Sequence, residues 1–348
     1  MVRAACQLPA EALRYIGACS LTLACNQPAP MAPALPAAVA PSAAPIAHAS
    51  SRAPQPVPLR ESIATFEPAA QSAKPCQAPE PPPEMALVAG GTFRMGADDE
   101  GELDERPQHA VSVQSFWLDL LEVTQADYGE CVRASVCRAP DSLASSRLTS
   151  GHPEEFRKPD HPVAGVSWFD AVQYCEFRGK RLPSEAEWER AARGDDARRY
   201  VWGDDSPDPK RHGVFGGRPT TEAVGKYPEG KGPYGHLDLA GNVWEWVADA
   251  YDPYAYRRET ASRGVPGSCR EILETLAYLR AHRMQGFTGK NSIPVECERV
   301  LRGGAYNYGS AMLRVSNRVH HPAGFRIAVA GFRCAKDVPS ECPESNRQ

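Results

Sequence analysis

The stretch Tyr234-Gly235-His236-Leu237-Asp238-Leu239-Ala240-Gly241-Asn242-Val243-Trp244-Glu245-Trp246 contains the strongest fold signal in this chain. It places two carboxylates, Asp238 and Glu245, on either side of a Gly-Asn pair. Glycine and asparagine tolerate positive φ, so the pair predicts a sharp turn that points backbone carbonyls inward. Hard cations such as Ca²⁺ prefer several carboxylate and carbonyl oxygens. Two interpretations follow: a calcium-binding loop, or a tight turn between core segments with solvated acids.

Length and charge exclude several classes of protein. The 348 residues can form one large domain or two ordinary ones. A net charge of −4 with scattered Lys and Arg argues against a nucleic-acid surface, which requires a basic patch. No run of about 18 apolar residues occurs, so no segment of the mature chain is expected to span a membrane. Any membrane contact is therefore expected through a lipid anchor only, for which the N-terminus offers a candidate.

The N-terminal 84 residues predict export and a tether. Residues 1–25 carry Arg3 and Arg14 before a short apolar run that ends at Cys25, which is the pattern of an export signal. The ending resembles a bacterial lipoprotein signal in which Cys25 is lipidated, with Cys19 as a second candidate and a soluble cleaved or disordered N-terminus as the alternative. Residues 26–84 are rich in Pro and Ala and predict a disordered, semi-rigid tether.

The chain has eleven cysteines, eight of them beyond the leader. An even set suits a disulfide framework in an oxidising compartment, here the periplasm or cell envelope. Cys131 and Cys137 are close enough to close a small loop. No CxxC pair occurs, so a zinc ribbon is not expected. Eight cysteines allow 105 connectivities, and Cys76 with Cys342 is one further candidate pair.

The body of the chain mixes short strands and helices. A β-hairpin is expected over 86–96 around Gly90-Gly91, followed by a strand from about 109 to 121. Capping residues predict three short helices that begin after Thr124, Ser167 and Ser184. A fourth helical stripe lies within 268–298, a helical insertion that a disulfide between Cys269 and Cys297 would staple. Long Gly/Pro/Asp-rich loops complete an α+β class.

Six further motifs accompany the opening stretch in a fixed order. They are GGTFRMG at 90–96, EVT at 122–124, HPVAGVSW at 161–168, GKRLPSEAEWE at 179–189, LRGG at 301–304 and GFRC at 331–334. Together they resemble the formylglycine-generating enzyme (sulfatase-modifying factor) superfamily over residues 85–337, which leaves 338–348 as a C-terminal tail. The resemblance implies a C-type-lectin-like α+β fold with little regular secondary structure.

The same resemblance implies a structural calcium ion and a disulfide. The calcium ligands would be the side chains of Asp238 and Glu245 and the carbonyls of Gly241 and Val243. Cys175 and Cys334 occupy positions at which the family has a linked pair.

Catalysis by the family's copper site is not expected. Formylglycine-generating enzymes hold copper with two cysteines after the Arg-Gly-Gly segment, and here Tyr308 and Leu313 occupy those positions. Neither supplies a thiolate, so no copper is expected.

Other branches of the superfamily are iron-dependent sulfoxide synthases whose histidines come largely from a separate helical domain. His320 and His321 are adjacent, and adjacent strand residues point to opposite faces, which favours two non-ligating histidines.

Two functions remain open. One is a non-catalytic binding or scaffolding module, in which a groove formed by Tyr306, Asn307, Tyr308 and Arg314 recognises a peptide, glycan or cell-envelope protein. The other is a metal-dependent oxidoreductase of the same superfamily that uses a different site. The insertion at 268–298 is hypothesised to cover or reshape the groove near Tyr308.

Overall fold

The computed structural model describes residues 80–99, 101–140, 154–258, 269–281 and 296–339. All of them belong to one compact unit, Gln71–Gln348. The predictions for the export signal, Cys25, most of the tether and the Cys76–Cys342 pair lie outside the described residues. Within the described part, no helix combines the length and apolar character that crossing a bilayer would require.

Short elements are spread along the described chain. The strands are β1 (Met85–Val88), β2 (Gly91–Met95), β3 (His109–Val113), β4 (Phe116–Asp119), β5 (Trp244–Ala250), β6 (Glu298–Arg302), β7 (Val319–Pro322), β8 (Ala330–Gly331) and β9 (Ala335–Asp337). The helices are α1 (Gln125–Arg133), α2 (Trp168–Phe177), α3 (Glu185–Arg193) and α4 (Cys269–Ala281). This mixture confirms the α+β class.

The strands form three small sheets, with orders β1-β4-β9, β2-β3 and β7-β6-β5-β8. Neighbouring strands are antiparallel except β5 and β8, which are parallel. The third sheet is central for the site, because β5 begins inside the opening stretch and β6 leads into the Arg-Gly-Gly segment.

The predicted hairpin over 86–96 is wrong. β1 pairs with β4 and β2 pairs with β3, so the predicted single strand at 109–121 is two strands in different sheets. The chain turns a corner at Gly90, whose amide donates to Ser115 Oγ at 3.0 Å. A Cβ at Gly90 would lie 2.5 Å from Ser115 N, so only glycine fits at this close contact between the 88–91 and 113–116 segments. Long-range pairing therefore overrides the local turn signal.

The three predicted helix starts are confirmed. Ser167 and Ser184 each form a complete capping box with the acid three residues later. Thr124 Oγ1 accepts from the Asp127 amide at 3.1 Å. These caps satisfy amides that have no partner inside the helix, which explains why short helices begin sharply here.

The three sequence-predicted disulfides are present: Cys131–Cys137, Cys175–Cys334 and Cys269–Cys297. The second joins α2 to the chain just before β9. The third closes the base of the insertion, whose helix α4 packs Ile272 and Leu276 against Ala250.

Three arginines are fully buried in the core: Arg302, Arg318 and Arg333. Arg302 and Arg318 both donate to Glu185 at the start of α3, and Arg333 pairs with Glu245 on β5. A buried charge is tolerated only when it is paired and hydrogen-bonded. Ion pairs therefore connect α3 and the central sheet through the interior of the domain.

Candidate functional site

The opening stretch forms the predicted sharp turn. Asp238, Gly241 and Asn242 have φ values of +57°, +96° and +56°. A Cβ at Gly241 would lie 2.6 Å from the Val214 carbonyl oxygen, so glycine is required for both conformation and space.

Hydrogen bonds fix the orientation of two peptide units of this turn, Gly241–Asn242 and Val243–Trp244. The Asn242 amide donates to Val214 O at 2.8 Å, and the Trp244 amide donates to Val329 O at 2.7 Å. The N–H and C=O of a trans peptide point in opposite directions. These two bonds therefore direct the Gly241 and Val243 carbonyls away from Val214 and Val329. Both predicted backbone ligands thus have defined orientations.

The two predicted carboxylate ligands are buried. Asp238 Oδ2 accepts from the Gly225 amide at 2.5 Å. Glu245 accepts two hydrogen bonds from the Arg333 guanidinium, each at 2.8 Å, and one from the Trp188 indole at 2.9 Å. Each carboxylate oxygen has two lone pairs, so these contacts leave acceptor capacity for a cation.

A third carboxylate, Glu122, joins this group and was missed as a site residue. Its Oε1 accepts from the Val243 amide at 3.1 Å, and its Oε2 accepts from Asn242 Nδ2 at 2.6 Å. Glu122 lies in the sequence motif at 122–124. The only sign of its role in the sequence was its place directly before an apolar valine and the helix-capping Thr124.

The site concentrates negative charge in the interior. Burial raises the pKa of Asp238 to about 6, and the nearby Glu245 carboxylate adds to the effect. Burial, followed by the charges of Asp238 and Glu245, raises the pKa of Glu122 well above its ordinary value. The described residues offset these three carboxylates with the guanidinium of Arg333.

Such a group fits a divalent cation. If all three acids are ionised, one guanidinium leaves two negative charges without compensation, which Ca²⁺ would balance. The residues that would hold Ca²⁺ remain the predicted four, Asp238, Gly241, Val243 and Glu245. Among the described residues, no three His, Cys, Asp or Glu side chains are arranged as a metal site. The backbone carbonyls are therefore essential to the calcium assignment.

Tyr308 and Leu313 lie in different environments. The Tyr308 side chain is 37% exposed and meets the buried Trp244 edge-on, with 5.6 Å between ring centroids. Leu313 is 1% exposed and packs in the core with Trp188 and Leu239. The first side chain faces solvent and the second fills the interior.

The predicted groove needs correction at Tyr306, which is fully buried and packs against Phe156, so its ring is part of the core. Arg314 is half-buried and forms an ion pair with the buried Glu105 at 2.7 Å, and its role in the groove stays a prediction. Tyr308 and the half-buried Asn307 keep the exposure that contact with a ligand requires.

Helix α4 of the insertion packs at the end of β5 opposite to the one that Tyr308 contacts. α4 contacts Ala250, the last residue of β5, whereas Tyr308 contacts Trp244, the first. Six steps of about 3.3 Å separate these ends by roughly 20 Å. The covering hypothesis gains no support from this packing and stays a prediction.

The adjacent histidines face apart, as predicted. His320 is buried, stacks on Tyr251 at 3.8 Å and contacts Glu298 through Nδ1 at 2.5 Å. His321 instead lies beside the exposed Phe325, with 4.9 Å between ring centroids. The two imidazoles do not converge on one ion.

Comparison with known proteins identifies the family. Residues 71–338 match the family described as "Sulfatase-modifying factor enzyme 1-like domain". The chain belongs to this family.

Two relatives illustrate its range. The serine/threonine-protein kinase pkn1 of Chlamydia pneumoniae is 34% identical over 75% of this chain, but the match spans only 39% of that protein. The formylglycine-generating enzyme of Streptomyces coelicolor is 33% identical over 78% of this chain and 94% of its own length.

A solved structure agrees with the fold. PvdO from Pseudomonas aeruginosa superposes with a TM-score of 0.55 at 26% identity, covering 73% of this chain and 94% of that one. This similarity confirms the formylglycine-generating-enzyme-like fold predicted from the motifs.

Proposed function

We propose that the protein is a non-catalytic binding or scaffolding module that keeps the family fold and a structural calcium ion. The burial of Leu313 carries this proposal. A pair of copper-binding cysteines has to present both thiolates to one ion, whereas here one position is a core leucine and the other a solvent-facing tyrosine.

The binding surface is centred on Tyr308. Its ring is 37% exposed and meets the buried Trp244 in an edge-to-face contact, which supports it from the domain side. Tyrosine offers a large apolar face and a hydroxyl at low entropic cost, which suits recognition of a peptide, a glycan or a cell-envelope protein. The carbonyl of Tyr308 accepts from the Gly216 amide at 2.8 Å, which fixes the loop beside it.

The proposed location is the cell envelope, with Cys25 as the lipidated residue. The three disulfides favour an oxidising compartment. Changing Cys25 to Ser is expected to release the protein from membranes, and Cys19→Ser serves as the matched control. Membrane retention of the Cys25→Ser protein would contradict lipidation at this residue.

Elemental analysis of the purified protein tests the main proposal. Calcium near one equivalent, without copper or iron, is the expected result. Stoichiometric copper or iron would overturn it and favour a metal-dependent oxidoreductase. That second function is supported by the similarity to an enzyme, the formylglycine-generating enzyme of S. coelicolor, over 94% of that protein's length.

A further inference from the structure

We infer that Glu122 positions the calcium-binding turn and organises it before the ion arrives. The inference rests on the proposed calcium site and adds a residue outside the four predicted ligands. Glu122 is 120 residues distant in sequence from the turn that it contacts.

Glu122 is held rigidly by its neighbours. The amide of Val123 donates to Phe332 O at 3.0 Å, and its carbonyl accepts from the Val163 amide at 2.8 Å. Thr124, the next residue, caps α1. The backbone that carries the Glu122 carboxylate is thus fixed by two long-range bonds and a helix start.

The carboxylate fixes two different groups of the turn. One oxygen accepts the Val243 amide and the other accepts the Asn242 side chain. Asn242 in turn accepts the Glu222 amide through Oδ1 at 3.1 Å, so it connects Glu122 to the loop beside the turn. Both hydrogen bonds are buried, so water does not compete for either partner.

This arrangement fixes the peptide unit that joins the two carbonyl ligands. The peptide unit between Asn242 and Val243 is bound on both sides, by Glu122 at its N–H and by the Tyr306 amide at its C=O, 2.9 Å away. That unit separates the Gly241 carbonyl from the Val243 carbonyl. Holding it still fixes the angle between the two ligands, and such supporting residues commonly change metal affinity 10–100-fold.

Calcium titration of Glu122 variants tests the inference, with fold checked by circular dichroism. Glu122→Gln keeps the size but loses the charge and brings an amide against Asn242, whereas Glu122→Asp keeps the charge but withdraws it by one carbon. A positioning role predicts that both weaken calcium binding, by about 10-fold or more. A purely electrostatic role predicts loss with Gln alone and would overturn the inference.

Amide hydrogen exchange provides a readout without metal. In the metal-free protein, amide exchange at Val243 is expected to be faster in both Glu122 variants than in wild type. The matched control is Glu130→Gln, which changes an exposed acid paired with Arg178 and should leave exchange at Val243 unchanged. Unchanged exchange at Val243 would overturn the positioning role even if calcium affinity falls. If wild-type protein binds no calcium, the proposed calcium site itself is overturned. The exchange measurement and the wild-type titration therefore distinguish failure of the positioning role from failure of the calcium site.

Discussion

The amide of Tyr306 donates to the carbonyl of Asn242 at 2.9 Å, and this bond joins the carboxylate-rich turn to the segment that presents Tyr308. The turn and the proposed binding surface are therefore neighbours in space, although about 60 residues separate them in the chain. The backbone of the turn is thus bonded directly to the segment that carries the exposed tyrosine.

Calcium is expected to stabilise the domain. At a free concentration of 100 times the dissociation constant, one bound ion adds about 2.7 kcal/mol, or roughly 5–10 °C in melting temperature for a domain of this size. Asp238→Ala should abolish this shift on comparison of scans with calcium and with chelator, whereas Glu130→Ala should retain it. Equal stabilisation of the Asp238→Ala protein would contradict the ligand assignment.

The Arg333–Glu245 pair is expected to be essential for stability even without metal. Both side chains are buried, so Arg333→Met leaves an uncompensated carboxylate and should cost about 3–5 kcal/mol in urea unfolding with chelator present. The double variant Arg333→Met/Glu245→Leu removes both charges and should recover part of the loss. A double variant less stable than the single one would argue against this explanation.

Leu313 and Tyr308 are expected to differ in their contributions to stability. Leu313→Ala creates a core cavity and should lower the free energy of unfolding by about 2–5 kcal/mol. Tyr308→Ala removes a partly exposed ring and should change it by about 1 kcal/mol or less. Urea unfolding of the two variants measures the difference, and similar losses would show that Tyr308 is also a core residue.

Asp249 should make stability decrease as pH rises. Burial, together with the Glu185 carboxylate, raises its pKa to about 8 from an ordinary 3.8, so the folded state keeps a proton that the unfolded state releases. This contribution is complete below pH 3.8 and is lost as pH rises through 8. At about 1.4 kcal/mol per pH unit between the two pKa values, the loss between pH 5 and pH 8 is on the order of 4 kcal/mol.

The Asp249→Asn variant isolates the contribution of this carboxyl to the pH dependence of stability. The amide oxygen can still accept the Glu185 amide, which Asp249 Oδ2 accepts at 2.7 Å, but it carries no titrating proton. The variant should gain stability relative to wild type between pH 5 and pH 8 in parallel urea titrations. An unchanged difference between the two proteins across that range would contradict the raised pKa of Asp249.

Local features were predictable because their causes are local. The caps at Ser167 and Ser184 depend on an acid three residues away, and the turn at Gly241-Asn242 depends on backbone conformations that few residues tolerate. Pairing of Cys131 with Cys137 follows from short spacing, whereas the family resemblance was needed to pair Cys175 with Cys334.

Long-range pairing was not predictable from local patterns. Gly90-Gly91 has the composition of a hairpin turn, but the flanking strands gain their partners from two different sheets. The position of Tyr306 was likewise set by what packs around it. Burial against Phe156 removed its side chain from the predicted groove.

The sequence by itself determined the family, the α+β class and the positions at which a turn, a helix cap or a disulfide would form, because each depends on residue type at short spacing or on an ordered series of motifs. Only the tertiary structure decided that Glu122 supports the turn and that Arg333 pairs with Glu245. These contacts join residues far apart in the chain, and only folding brings such charges together in an interior where they must be paired.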